Sequence, residues 1–246
     1  MSGVTLLEAP AKLTIALQVA GVRADGYHLI LAEMASLDLV DTIEIAAADE
    51  STLTVDGPFA EGVPADDSNL IMKALRLAGR TARVHVTKNV PNGGGLGGGS
   101  SDAAAVLRWA GFTDLRAAAM VGADIPFCMV GGRAVVMGIG EDVQPLPFMK
   151  RDITLVIPPL HVSTPAVYRK WDEMGGPRTH PVNHLTEAAI AVVPRLADWQ
   201  RRITEAAGAE PVLAGSGATW FLHGHHPGIA AALPEASVIT TNTRPA

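Results

Sequence analysis

The stretch NVPNGGGLGGGSSDAAA, Asn89 to Ala105, carries six glycines among the seven residues Gly93 to Gly99. Glycine loses more conformational freedom on folding than any other residue, so a run this dense needs a reason. A flexible linker would continue into further Gly and Ser. This run leads instead into SSDAAAVLRWAG, with Ser and Asp where helices start, followed by Ala, Val and Leu. The segment before it, ARVHVTKNV, alternates as a strand does. Strand, glycine loop and helix start, in that order, make a nest of backbone N–H groups beside the positive end of a helix dipole. Such a nest suits a phosphate.

Two well-known phosphate loops fit poorly. A Walker A loop requires Gly-Lys followed by Ser or Thr, and no such triplet occurs. A dinucleotide fingerprint matches formally at Gly93, Gly95 and Gly98, but a run so rich in glycine matches almost any glycine pattern. Its turn should also follow the strand directly, whereas KNVPN intervenes. Asp102 at the helix start would repel a diphosphate unless it caps the helix or meets a cation.

The bulk composition narrows the classes further. The chain has 246 residues, 48% hydrophobic and 18% charged, which is globular and not disordered. Nineteen Lys and Arg face 25 Asp and Glu, a net charge of −6 without any basic run, so no nucleic-acid partner is expected. The single cysteine, Cys128, excludes an internal disulfide and fits a reducing compartment. MSGVTLLEAPAKLTIAL lacks the basic start and long apolar core of a signal peptide. No apolar run approaches ~18 residues, so no membrane span is expected. The expectation is a cytoplasmic protein, a monomer or weak homodimer.

Along the chain, AKLTIALQVAG reads as a strand, RADGYHLI as a turn, and LAEMASLDLVDTIEIAAA as a segment ending in a strand. NLIMKALRLAG has helical spacing, with Ser68 as cap and Gly79 as stop. LRAAAMVGADIPFCMVGGRAVVMGIGE reads as a short helix, a turn and one or two strands. DITLVIPP opens a second half as a buried strand. Pro194 should break or kink the helical run from Asn183 to Gly208. The expected boundary near Pro147 to Asp152 divides the chain into residues 1–148 and 149–246.

The glycine stretch strongly resembles the ATP loop of the GHMP kinase superfamily, and within it the 4-diphosphocytidyl-2-C-methyl-D-erythritol kinases of the non-mevalonate isoprenoid pathway. APAKLTIALQVAGVRADGYHLI, NLIMKAL, VGADIPFCMVGGRAVVMGIGE, VSTPAVY and LAGSGATWFL resemble further motifs of that family, in order along the chain. The resemblance implies an α+β, two-domain GHMP kinase fold, with a ribosomal protein S5 domain 2-like N-terminal domain and a ferredoxin-like C-terminal domain. It implies ATP and Mg²⁺, and a small-molecule substrate, a cytidine diphosphate methylerythritol phosphorylated on its 2-hydroxyl. No Mg²⁺ ligand is assigned.

The resemblance also implies roles for particular residues. Pro91, Asn92, Gly93, Gly94, Gly95, Leu96, Gly97, Gly98, Gly99, Ser100 and Ser101 would form the ATP loop, with Asn69 and Lys88 near the nucleotide. Asp124 would take the proton of the acceptor hydroxyl, with Lys12 paired to it. Tyr27 and His28 would hold the cytosine end, Thr14 would touch substrate, and Thr164 with Gly215, Ser216 and Gly217 would close the site. On residue type alone, Asp124 is equally a turn or capping Asp, Lys12 an exposed Lys on an edge strand, Tyr27 and His28 ordinary loop residues, and Gly215 to Thr219 a hairpin turn.

Three departures from the family pattern stand out. Thr14 replaces an Asn, Asn92 replaces a Met, and the segment from Trp109 to Gly122 is shorter by roughly ten residues. That shortening should open the nucleotide side. Two alternatives remain at this level: another GHMP kinase acting on homoserine or mevalonate, or a kinase-like ligand sensor without catalysis.

Overall fold

Two long strands frame the molecule. The computed structural model describes residues 3–246; residues 1 and 2, the start of the first expected domain and of the segment weighed as a signal peptide, lie outside the described residues. Strand β1 (Thr5–Val22) pairs antiparallel with β2 (His28–Ala47) along nearly its whole length. The segment expected to become a strand only at its end is therefore strand throughout. Its apolar residues do not alternate cleanly because much of it is covered on both faces.

The first half continues through β3 (Thr52–Asp56), α1 (Leu70–Leu77), β4 (Ala82–Thr87), α2 (Gly98–Trp109), α3 (Leu115–Val121), α4 (Ile125–Val130), β5 (Arg133–Gly138) and β6 (Asp142–Leu146). Strand β4 pairs with the C-terminal part of β2 and β5 with its N-terminal part; β3 and β6 extend the sheet beyond them. The second half is β7 (Asp152–Ile157), α5 (Thr164–Glu173), α6 (Thr186–Val192), α7 (Arg195–Ala207), β8 (Val212–Leu213), β9 (Trp220–His223), α8 (Ile229–Ala232) and β10 (Ser237–Asn242). Its four strands lie in the order β10-β7-β9-β8. That is fourth, first, third, second, with helices in the two crossovers, the ferredoxin-like arrangement.

Several local expectations need correction. Helix α2 starts at Gly98, inside the glycines, and not at the Ser-Ser-Asp. Gly97 takes the cap position with φ +69°, and its carbonyl accepts from Ser101 N–H at 2.8 Å. A glycine can turn the chain into a helix at that φ where a side chain would be strained. Helix α1 is capped by Asn69, not Ser68: Asn69 Oδ1 accepts from Ile71 N–H at 2.9 Å, while the Ser68 hydroxyl turns back to Asp66. The residues after Asp124, read as a turn, form helix α4 with Pro126 in its first turn, where a missing N–H costs nothing. Pro194 separates α6 from α7 as expected.

The faces of β1 and β2 turned toward the second sheet share a compact apolar layer with it. Leu13, Ile15 and Leu37 meet Leu155 and Phe221 there, and Val90 and Leu96 enter from the glycine stretch. The other large core lies around α1, α2 and α4, with Phe127 of α4 fully buried in it. Replacing Phe127 by Ala empties an aromatic site next to Asp124. We expect the unfolding free energy, from urea denaturation, to drop by about 3–5 kcal/mol.

Candidate active site

Lys12 sits where the β1–β2 register slips, between Pro10 and Lys12. A bulge frees a backbone group from the ladder and re-aims the neighbouring side chain. Here the Lys12 N–H leaves the sheet and donates to the Leu96 carbonyl at 2.9 Å. Its ammonium lies 3.1 Å from Asp124 Oδ2 and donates to the Thr14 hydroxyl at 3.2 Å. Asp124 comes from the N-terminal end of α4, more than a hundred residues away in sequence. Lys12 is buried and Asp124 partly open, so the pair presents a carboxylate edge to solvent.

That edge faces a cleft of about 600 Å³. Lys12, Thr14, Tyr27, His28, Asp124, Thr164, Gly215 and Ser216 all line it, as does Gly95. On the far side of Gly95 lies a smaller groove of about 190 Å³, lined by Lys88, Pro91 to Gly93 and Gly95 to Ser100, with Leu70 at its edge. The two spaces meet at the glycine loop, beside the Lys12–Asp124 pair.

The loop is held from three sides. The Leu96 side chain is buried in the inter-sheet layer. The Thr219 hydroxyl donates to the Gly94 carbonyl. A Cβ on Gly95 would stand 2.8 Å from the Gly217 carbonyl, and one on Gly97 would stand 2.6 Å from Lys12 Cγ. Side chains are thus excluded at Gly95 by a backbone carbonyl and at Gly97 by the Lys12 side chain. Gly217 does not line the cleft; it backs Gly95.

Beneath the loop, Lys88 is buried between Asp41 and Asp102. Its ammonium donates to Asp102 at 2.5 Å and to Asp41. Asp41 Oδ1 also accepts the backbone N–H of Asn89 and of Val90, the latter at 2.8 Å, fixing the chain as it enters the loop. Asp102 therefore meets a cation and does not cap the helix. Two carboxylates share one ammonium away from water. Burial pushes Asp102 up to about 7, against the pull of Lys88, and the Asp41 charge pushes the same way.

The remaining expected residues are placed as follows. The Ser101 hydroxyl donates to the Pro10 carbonyl at 2.6 Å and is buried, while Ser100 lines the groove. Asn69 is occupied by helix capping and by donating to the Pro64 carbonyl at 2.7 Å. Thr164 and Ser216 share a hydrogen bond of 2.7 Å across the cleft rim. His28 Nε2 meets Asp172 Oδ1 at 2.8 Å, and Tyr27 lies under the Arg23 guanidinium. The sequence reading missed Asp41, Asn183 and Asp172. The Asn183 amide, buried, donates to the carbonyls of Leu213 and Gly215 and so carries the third glycine segment. Nothing in the polarity of these residues set them apart from solvated neighbours. No group of three or more His, Cys, Asp and Glu able to hold a metal occurs among the described residues.

Comparison with known proteins decides the family. The profile of the GHMP kinases N terminal domain matches residues 69–132. The chain is 40% identical to the 4-diphosphocytidyl-2-C-methyl-D-erythritol kinase of Paracoccus denitrificans, over 87% of its own length and 84% of that protein. It is 37% identical to the protein of that name from Ruegeria pomeroyi, over 87% and 86%. The chain belongs to the 4-diphosphocytidyl-2-C-methyl-D-erythritol kinase family. A crystal structure of a 4-(cytidine 5'-diphospho)-2C-methyl-D-erythritol kinase superposes with a TM-score of 0.78 at 28% identity, covering 98% of this chain and all of that one. The kinase is thus a two-domain GHMP kinase and ATP-dependent.

Two outcomes follow for the groove and the charges beneath it. A Cβ added at Gly99 would have only Leu70 Cδ1 nearby, at 3.7 Å, so Gly99→Ala fits the fold and gains up to ~1 kcal/mol of helix propensity. It also narrows the groove. We expect an unchanged or higher melting temperature with the KM for ATP raised about tenfold, equivalent to roughly 1.4 kcal/mol. Second, the folded kinase keeps a proton on Asp102 that the unfolded chain, near the usual 3.8, has released. Stability contributed by Asp102 therefore falls as pH rises from about 4 to about 7. Asp102→Asn removes that component, so the difference between wild-type and variant urea midpoints should slope across this range.

Proposed function

We propose that this kinase transfers a phosphoryl group from ATP to the 2-hydroxyl of 4-diphosphocytidyl-2-C-methyl-D-erythritol, a step of the non-mevalonate isoprenoid pathway. The observation that carries the reading is the Lys12–Asp124 pair, 3.1 Å apart, at the seam between a large cleft and a glycine groove. The cradle fits nucleotide phosphates: backbone donors at the start of α2, no Cβ in the way, and a dipole of the right sign. ATP, bound with Mg²⁺, supplies the phosphoryl group. With no acidic cage among the described residues, Mg²⁺ would arrive largely on the phosphates, with Ser100 the hydroxyl free to help.

The chain's own residues align and deprotonate. Asp124 accepts the proton of the acceptor hydroxyl, and Lys12 holds that carboxylate in place. A loose phosphoryl transition state asks chiefly for such alignment and charge balance. Tyr27 and His28 hold the cytosine end, and the Thr164–Ser216 bridge closes the rim. Thr14, tied to the Lys12 ammonium, keeps a hydroxyl where the family pattern has an Asn. The same reading makes it a cytoplasmic enzyme of small molecules, without a nucleic-acid partner and a monomer or weak homodimer. No helix among the described residues is long and apolar enough to cross a membrane.

ADP release with the cytidine substrate, beside homoserine and mevalonate controls, tests the substrate; comparable turnover of a control would overturn it. Asp124→Asn should lower kcat by about two to four powers of ten, the range for loss of a general base, with ATP binding little changed. Lys12→Met should lower kcat too. The double variant should lose far less than the product of the two, since groups acting as a unit are not additive. A full-rate Asp124→Asn enzyme would remove Asp124 from the chemistry.

A further inference from the structure

Helix α5 places three side chains on one histidine of the cleft. His28 packs against Tyr168 with ring centroids 4.6 Å apart, and meets Trp171 edge-on at 5.7 Å. Asp172 Oδ1 lies 2.8 Å from His28 Nε2. Trp171 is itself anchored, its indole N–H donating to the Pro177 carbonyl at 2.9 Å. The ring's plane and its outer end are therefore both fixed. Asp172 stands in the last turn of α5, where a carboxylate opposes the helix dipole, so it is not there to stabilise the helix.

We propose that Asp172 is a positioning residue that sets the tautomer of His28 and thereby selects a pyrimidine bearing an exocyclic amine over one bearing a carbonyl. A carboxylate only accepts, so the hydrogen of the neutral imidazole stays on Nε2. Nδ1 is left as a lone-pair acceptor, and it has no protein partner among the described residues. His28 lines the cleft beside Tyr27. An acceptor there pairs with an amine and repels a carbonyl oxygen. A site built to hydrogen-bond one group discriminates against its replacement more strongly than a merely apolar pocket does. This rests on the assignment of Tyr27 and His28 to the base under Proposed function.

The test uses the full chain and two substitutions at one position. Asp172 is about half exposed, so Asp172→Leu should fold, with circular dichroism as the control. In the Leu variant kcat/KM for the cytidine substrate should fall roughly 10- to 100-fold through KM, with kcat largely kept. Its preference for that substrate over the matched uridine compound should shrink by a similar factor. Asp172→Asn, which retains an acceptor oxygen, should restore most of both, a rescue that a purely structural role would not require. Nitrogen-15 spectra of the substrate-free protein should show His28 protonated on Nε2 in wild type and a mixture of tautomers in the Leu variant. Protonation on Nδ1 in wild type overturns the proposal whatever the substrate proves to be. So does a Leu variant with undiminished preference for the amine. A wild type that favours the uridine compound overturns both this proposal and the base assignment it rests on.

Discussion

The Leu96 backbone and side chain together hold the centre of the molecule. Six neighbouring glycines have no side chain with which to anchor themselves, and their disorder would be costly to suppress. Leu96 supplies the anchor: its side chain is buried between the two sheets, and its carbonyl takes the N–H that the β1–β2 register slip releases at Lys12. The glycine loop and the lysine that faces Asp124 are thus joined by one hydrogen bond. The N–H lost to the ladder at the register slip is satisfied by the contact that sets the distance between the glycine groove and the large cleft.

The charges beneath the loop follow a different logic. Burying the Lys88 ammonium with two carboxyl groups takes charge out of water, a penalty of several kcal/mol per ion before pairing, and the proton held on Asp102 lessens it. Such a cluster is weak evidence for stability. What it does provide is direction: Asp41 fixes the N–H groups of Asn89 and Val90, Lys88 links that strand end to α2, and Asp102 ties in the first turns of the helix. The glycine loop above can then consist largely of backbone.

Much of this is legible in the sequence, and the reasons for the rest are physical. The order strand, glycine loop, helix reads directly, because glycine runs and apolar periodicity are local signals. The Pro194 break follows from local chemistry too. The start of α2 does not, since a helix cap made by a left-handed glycine leaves no polar side chain to read. The family pattern assigns Asn69 to the nucleotide, yet its amide is divided between two backbone partners. Asp41, Asn183 and Asp172 are invisible because their meaning lies in partners far along the chain, and a polar residue announces neither its burial nor its distant neighbour. Lys12 and Asp124 emerge only through the family pattern; by type each is an ordinary surface charge.

The contacts across the glycine loop bear on modularity. The Thr219 hydroxyl of the second half holds the Gly94 carbonyl of the first, and Leu155 and Phe221 complete the layer in which Leu96 is seated. The first sheet taken alone would lose the floor under its own glycine loop. Recombining halves between relatives would therefore require that the residues around Leu96 be inherited as a set, so that the glycine loop, although it is encoded wholly in the first half, is the joint property of both.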